Sequence, residues 1–494
     1  MTGGRSMAVH PALDRRAEDL LFVDGRWSPA ASRRTFEVSC PATGEPIAQV
    51  SRADADDVDL AVRAAHRAYE ETWRDTPPAD RAAMLYTLAD RLAADADRLA
   101  LVDVVDNGST VRRMRADVDT GVQLIRTYAG FVGTITGRTI PIDSHTLNYT
   151  VREPYGVAGV IVPFNHPFMF AAQMVGSALA AGNTLVLKPS ELTPLTALEI
   201  AKAAEDLLPA GVLNILTGFG EESGAPLVRH PLVRKVHFKG SVPTGRKVME
   251  MCAAGIKPVS LELGGKAPFI VYPDMDVDVA VQGAVRGMNL VHQGQSCGSA
   301  TRLLVHDDVY EAFRSGLVEA FESLRPGAPW DAGADMGCMV SRTQYDKVLA
   351  HIAKGVDDGA RVLTGGAPVA DDSLPGELYI QPTVFECDDM SPIVARDEIF
   401  GPVTCLFRWD DEDRMLAMAN DTEYGLTASV WTNDLGTAHR VVARLQAGYV
   451  WVNGHGRRPV GSPFGGYKQS GIGKERAQDE FNSYTQEKSV LVAL

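Results

Sequence analysis

Cys297 stands in Gly294-Gln-Ser-Cys-Gly298, where small neighbours leave a thiol approachable and let backbone N–H groups come close to a reacting oxygen. A nucleophilic cysteine needs that access, with a base or a helix N-terminus to favour the thiolate. The plainer alternative is a small buried core residue, which describes most free cysteines. Glu262 lies between two leucines in Ser260-Leu-Glu-Leu-Gly-Gly265, at the end of a short strand. A carboxylate there is costly to bury, so it stays protonated, finds a partner, or serves as a base of raised pKa. A strand-edge glutamate facing water is the competing reading. Asn165 follows Ile161-Val-Pro-Phe164 at a strand-to-helix turn, the place where parallel sheets bind ligands. Its amide can donate to a developing oxyanion or simply cap the helix.

A phosphate-binding feature lies nearby in sequence. Gly240-Ser-Val-Pro-Thr-Gly245 follows one apolar strand and opens a helix, so backbone can approach a phosphate at the helix N-terminus. It is not GxGxxG, and Gly218-Phe-Gly220 with Gly224 is one residue too long for that fingerprint.

These residues need elements to hold them. The first part, to about residue 127, reads as mostly helical. Asp54 and Asp56 can start a helix containing Leu60 to Tyr69, and Pro77-Pro78 opens another running past Leu101. Alternating residues from Thr139 to Val151 read as strands. From Val157 the pattern becomes strand, helix (Phe168 to Ala181), strand (Thr184 to Leu187), with Gly182-Asn183 as the stop. The unit recurs through a helix at Glu199 to Leu208 and strands at Val212 to Leu216 and Lys235 to Phe238. Such alternation predicts an α/β fold with a mostly parallel sheet and helices on both faces. A second α/β set follows from Phe269, with a strand at Thr301 to Val305, a helix at Val309 to Leu324 and a strand at Tyr449 to Asn453. The apolar end, Ser489 to Leu494, is strand-like and is expected to pair outside the main sheets.

Composition narrows the function classes. The chain has 494 residues, 45% of them hydrophobic, which suffices for a large core without disulfides. Its net charge of -15, from 48 basic and 63 acidic side chains, offers no footprint for nucleic acid or an anionic membrane. Six scattered cysteines without a CxxC pair argue against a disulfide framework or a zinc site, so no metal is expected. Leu20 to Val23 is too short an apolar run for a signal peptide, and Tyr155 to Leu187 is interrupted by proline and asparagine. A cytoplasmic location follows as the default.

Each motif is weak alone; together they are specific. Pro163-Phe-Asn165, Lys188-Pro-Ser-Glu191, Phe238-Lys-Gly-Ser241, Leu261-Glu-Leu-Gly-Gly-Lys266, Gly294-Gln-Ser-Cys297, Glu398-Ile-Phe-Gly-Pro402 and Ser462-Pro-Phe-Gly-Gly466 occur in one order over nearly the whole chain. In these the sequence resembles the aldehyde dehydrogenase superfamily, loosely its betaine-aldehyde-type members. The resemblance implies a Rossmann-like cofactor domain (1–130 and 150–262), an α/β catalytic domain (263–465) and a small β oligomerisation arm (131–149 and 480–494) that makes a homodimer or homotetramer. By that resemblance Cys297 attacks the aldehyde, Asn165 and the Cys297 N–H hold the oxyanion, hydride passes to NAD, and Glu262 activates the water that hydrolyses the thioester.

The resemblance also implies that Lys188 and Glu191 bind the adenosine ribose, which favours NAD while leaving NADP possible. Gly240 and Ser241 would meet the pyrophosphate, Glu398 the nicotinamide ribose, and Phe164 and Phe400 the ring. His166, Met169 and Phe464 are expected along the aldehyde tunnel. His166 is unusual beside the oxyanion asparagine; it reads as a polar wall, or as a sign of a substrate with a polar or anionic group. Met174 stands where many hydrolytic members carry a lysine paired with the glutamate that matches Glu475, which puts that proton relay in doubt. Lys239 and His292 also depart from the usual residues and are expected to carry no chemistry. Three rivals stand beside this reading: a CoA-acylating semialdehyde dehydrogenase, disfavoured by Glu262; a cysteine esterase; and an inactive scaffold.

Overall fold

Short apolar strands separated by helices build two large sheets in the computed structural model, which describes residues 20–494. The start of the expected cofactor domain and the segment that would hold a signal peptide thus fall partly outside the described residues. The first sheet has eight strands. Its parallel centre runs Val259–Glu262, Val233–Lys239, Val157–Ile161, Thr184–Lys188, Leu213–Ile215. One edge is closed by Gly471–Ile472 and the other by the hairpin of Leu21–Val23 with Arg26–Ser28, all antiparallel. The second sheet has seven strands, parallel from Thr383–Glu386 through Val403–Trp409, Arg302–His306, Pro268–Val271 and Thr427–Trp431 to Tyr449–Val452. Strands buried on both faces read as continuous apolar runs, as Val157–Ile161 and Pro268–Val271 do, whereas Val233–Lys239 carries Arg234, Lys235, His237 and Lys239.

Register places the chemistry. In the first sheet Ile161 pairs with both Lys188 and Phe238, and Lys239 pairs with Glu262. The carboxyl ends of four strands therefore finish at one level, where open α/β sheets take ligands. The helix Pro167–Ala180, buried over its whole length, follows directly and fixes the turn that carries Asn165 and His166. It is apolar on all sides because neighbours surround it, among them the helix Val111–Phe131, whose Gly121 leaves room for Phe168 and Ala172.

Two helical regions differ from the sequence expectation. The single helix expected from Pro77-Pro78 is two, Pro78–Ala94 and Ala96–Asn107. Asp95 leaves the helical region at the break and accepts from Arg98 Nε at 2.7 Å. The helix expected at 199–208 spans Leu195–Ala204; it starts early because Asp106, distant in sequence, accepts from the Leu195 N–H at 3.0 Å and satisfies its first turn. The C-terminal strand, Thr485–Ala493, has its partner within this chain: it pairs antiparallel with Thr146–Pro154, which pairs in turn with Thr139–Asp143. The strands of this small sheet thus extend to residue 154 and begin again at 485.

Candidate active site

Cys297 sits on a turn between the two sheets, part-exposed to a cleft lined also by Phe164, Asn165, Gly240, Ser241, Glu262, Glu398 and Phe400. Glycines explain how the turn fits. A Cβ on Gly265 would run into the carbonyl of Cys297, and one on Gly294, which has φ of +67°, into the carbonyl of Gly401. The Leu-Glu-Leu-Gly-Gly and Gly-Gln-Ser-Cys segments are therefore in contact, and Glu262 comes to the thiol. Cys297 Sγ donates to Glu262 Oε1 at 3.5 Å.

Burial pushes the Glu262 carboxyl up to about 7, and the charge of Glu475 adds to the rise while Lys239 and Arg458 oppose it. A carboxylate poised near neutrality is suited to general-base work. Burial, with Glu262 behind it, also holds the Cys297 thiol well above its ordinary value. Two donors wait beside the sulfur. Asn165 Nδ2 uses one hydrogen on the Gln295 carbonyl at 3.1 Å, while its Oδ1 is buried without a partner. Its second amide hydrogen and the Cys297 N–H have no acceptor among the described residues.

The opposite wall of the cleft has the chemistry of a dinucleotide site. Ser241 caps the thirteen-residue helix Val242–Ala254, accepting from the Thr244 N–H, so a positive helix end opens on the cleft. Glu398 accepts from the Gly265 N–H at 2.9 Å, and burial raises it to about 7. Phe400 has φ of +59°, a conformation disfavoured for a residue with a side chain; Gln344 Nε2 holds it by donating to the Ile399 and Phe400 carbonyls at 3.1 and 2.9 Å. Its ring stands edge-on to Phe164 at 5.6 Å. Lys188 Nζ, at the end of its strand, reaches the Pro189 carbonyl at 2.9 Å and Glu191 Oε2 at 3.4 Å. These two residues pair with each other but do not line the cleft around Cys297, and Glu191 opens onto an adjoining hollow. An acceptor carboxylate, a helix N-terminus and an aromatic pair around one cleft fit a dinucleotide.

The three residues expected along the tunnel are buried away from this cleft. His166 Nδ1 lies 2.6 Å from Asp117 Oδ2, and its ring stands 4.2 Å from that of His292. Burial lowers His166 to about 3 despite Asp117, so it is a neutral wall near pH 7. Asp117 is already committed to Arg113, whose Nη2 is 2.6 Å away and whose Nε donates to His292 Nε2 at 2.8 Å. That contact makes His292 Nε2 an acceptor and leaves its Nδ1 hydrogen for Ser109 Oγ at 2.9 Å. Met169 lies against Arg476, and Phe464 between Tyr449 and the Arg458 guanidinium.

Some residues escaped the sequence reading. Lys239, given no chemistry there, is buried with its ammonium 2.6 Å from Glu475 Oε2, and Glu475 Oε1 lies 2.8 Å from His237 Nε2. The charge absent at position 174, on the helix Pro167–Ala180, is thus supplied from the strand Val233–Lys239. The only signal was a lysine inside an apolar strand, which requires a buried partner. Arg458 and Arg476 bear on the site too, and nothing in their spacing announced it.

The chain matches the model of the aldehyde dehydrogenase family over residues 27–490. It is 40% identical over 483 residues to the aldehyde dehydrogenase tropH of Talaromyces stipitatus, covering 96% of this chain and 93% of that one. Among solved structures, the NAD+ complex of an aldehyde dehydrogenase from Bacillus cereus has a TM-score of 0.94 at 39% identity, with 97% of each chain covered. The indole-3-acetaldehyde dehydrogenase AldA of P. syringae, in complex with NAD+ and IAA, has a TM-score of 0.95 at 36% identity, with 98% of each chain covered. With a cysteine, a carboxylate and an asparagine amide gathered at one cleft, and with likeness of this extent, the chain belongs to the aldehyde dehydrogenase family.

Proposed function

We propose that this protein oxidises an aldehyde to a carboxylic acid with NAD, through a thioester on Cys297 that water hydrolyses. The observation that carries the reading is the 3.5 Å approach of the Cys297 thiol to Glu262 beside two unused donors. Glu262 takes the thiol proton as sulfur attacks the carbonyl carbon. The developing oxyanion is met by the Asn165 amide and the Cys297 N–H, donors of a kind that contribute about 3 kcal/mol each to transition-state stabilisation. NAD, when bound, accepts the hydride that leaves the tetrahedral carbon. Ser241 and Gly240 would hold its pyrophosphate, Lys188 and Glu191 its adenosine ribose, and Glu398 its other ribose beside Phe164 and Phe400. After the hydride has left and Glu262 has passed the thiol proton on to solvent, Glu262 removes a proton from water, which attacks the thioester and releases the acid. The sulfur departs readily because a thiolate is a good leaving group.

In this reading the first sheet serves the cofactor and the second carries the nucleophile. Release to CoA is the less favoured course, because a carboxylate in contact with sulfur directs water to the thioester. The decisive experiment follows NADH formation from a panel of aldehydes. Turnover that vanishes in Cys297→Ala supports the assignment; turnover retained in that variant, or ester cleavage with no aldehyde oxidation, ends it.

The small sheet is proposed as the contact between copies in a homodimer or homotetramer. Leu491, Val492 and Leu494 with Ile142 and Leu147 leave it an exposed apolar surface, 64% and 77% exposed at Leu491 and Leu494. A monomeric mass by light scattering would count against it. A cytoplasmic location is proposed from the reduced, scattered cysteines. Among the described residues no helix is long and apolar enough to cross a membrane.

A further inference from the structure

Two arginines, Arg458 beside the nucleophile and Arg476 near Arg458, form no ion pair with a carboxylate among the described residues. Arg458 stands in the loop after the strand Tyr449–Val452. Its Nη2 comes within 3.9 Å of the position a Cβ on Gly298 would take, beside the residue that follows Cys297. Arg476 is buried, 5% exposed, and its Nη2 touches Met169 Sδ at 3.3 Å. Among the described residues neither guanidinium forms an ion pair, whereas nearby Arg113 has Asp117 at 2.6 Å.

The backbone holds the two together. The Phe464 N–H donates to the Glu475 carbonyl at 3.0 Å, the Glu475 N–H to the Phe464 carbonyl at 2.7 Å, and the Gly461 N–H to the Arg476 carbonyl at 2.8 Å. Arg476 has φ of +64°, which a residue with a Cβ adopts only when its surroundings impose it. The Arg458 guanidinium is fixed over the Phe464 ring, 4.6 Å from its centroid. Both cations are thus positioned rather than loose.

Their surroundings leave the positive charge uncompensated. Burial, then repulsion from Arg476 and Arg113, lowers Arg458 to about 10, while Cys297 and Glu262 act in the opposite sense. Glu262 titrates near neutrality and must remain free for its proton transfers. His166 and His292 are held neutral by burial. Glu475 is committed to Lys239 and His237, and Glu480 accepts from Gln173, Tyr128 and the Arg476 backbone N–H. An unpaired buried cation such as Arg476 is costly, and an anion delivered beside it and the part-exposed Arg458 removes the cost. Neither arginine lines the cleft assigned to the dinucleotide, and Arg458 is part-exposed.

We propose that Arg458 and Arg476 receive a carboxylate carried at the far end of the aldehyde, so that the preferred substrates are ω-carboxylated aldehydes. The proposal rests on the aldehyde-oxidising reading above and names its substrate class. Guanidinium forks match carboxylate geometry, and two of them beside Cys297 hold the anion while the aldehyde carbon meets the sulfur.

The test compares 4-oxobutanoate, 5-oxopentanoate and 6-oxohexanoate with butanal, pentanal and hexanal in NAD reduction by the wild-type enzyme. At least one acid exceeds its neutral counterpart tenfold or more in kcat/KM, through KM, and high salt narrows the gap. Arg458→Gln and Arg476→Gln each shrink that ratio at least tenfold, and Arg458→Lys restores part of it. Binding of glutarate, followed by calorimetry, weakens at least tenfold in the same glutamine variants. Neutral aldehydes used as well as the acids by the wild type would overturn the proposal, whatever the variants do. So would variants that slow both members of a pair alike, which would assign the arginines to support of the thiolate. If none of the six aldehydes reduces NAD, aldehyde oxidation itself fails; glutarate binding that is lost in the variants would then still report the anion site.

Discussion

Lys239 and Glu475 form a buried ion pair, Nζ to Oε2 2.6 Å, and Lys239 is at the same time the ladder partner of Glu262. One ammonium therefore stands between two carboxylates. Against the cost of burial, its charge and His237 hold Glu475 well below the ordinary range, and it restrains the rise of Glu262. Glu475 remains ionised, so that of these two carboxylates Glu262 is the one that titrates near neutrality.

Removing that ammonium leaves Glu475 buried with His237 and the Gln173 amide as its close partners among the described residues. Lys239→Thr is expected to destabilise the fold by about 3–5 kcal/mol, the range for stranding one member of a buried pair. Met174 is fully buried and accepts from Tyr484 Oη at 3.5 Å, and Tyr484 lies against His237. Adding Met174→Lys to Lys239→Thr should therefore recover part of the loss in thermal denaturation. A double variant no more stable than the single would show that position 174 does not reach the carboxylate.

Asn165 separates catalysis from stability. Among the described residues its Oδ1 has no partner and its Nδ2 makes one bond, to the Gln295 carbonyl. Asn165→Ala is expected to lower kcat about 10²–10³-fold while costing no more than about 1 kcal/mol of stability. A kcat within a fewfold of wild type would remove the amide from the oxyanion site.

The sequence carried the site further than it carried the surroundings. Cys297, Glu262 and Asn165 could be singled out because each sits in a local pattern of small residues, strand ends and turns. The helix break at Asp95 and the early start at Leu195 depend on Arg98 and Asp106 reaching across the fold, which local periodicity does not encode. At its own position Lys239 gives no sign of the buried ion pair it makes with Glu475. Its meaning lies in Met174, 65 positions earlier, where the charge is missing. Arg458 and Arg476 come together through the pairing of Phe464 with Glu475 and the Gly461 to Arg476 bond, and no spacing rule predicts that bridge.

Glu191 should set cofactor preference. Its side chain is 38% exposed and sits 3.4 Å from Lys188 Nζ, so its charge faces an incoming ribose without being fully compensated. Glu191→Ala is expected to raise the kcat/KM ratio of NADP over NAD about tenfold, ~1.4 kcal/mol, a modest effect because solvent screens the charge. An unchanged ratio in matched assays with both nucleotides would transfer the discrimination to other groups.

The protonation of Glu262 links rate and stability with opposite preferences. As a base it works ionised, so kcat limited by hydrolysis should climb with pH through about 7 and level above it. The folded carboxyl is raised from an ordinary value of 4.5, so the unfolded chain gives up its proton first. Stability from this group is complete below about 4.5, falls as pH rises from there through 7, and is fully lost above. Glu262→Gln removes the titration. The variant should match wild type in denaturant midpoint near pH 4.5 and exceed it by up to ~3 kcal/mol at pH 8, while hydrolysis collapses. A stability difference that stays constant with pH would mean that Glu262 ionises in the folded protein as it does in water, and a rate profile without the rise near 7 would take the base role from it.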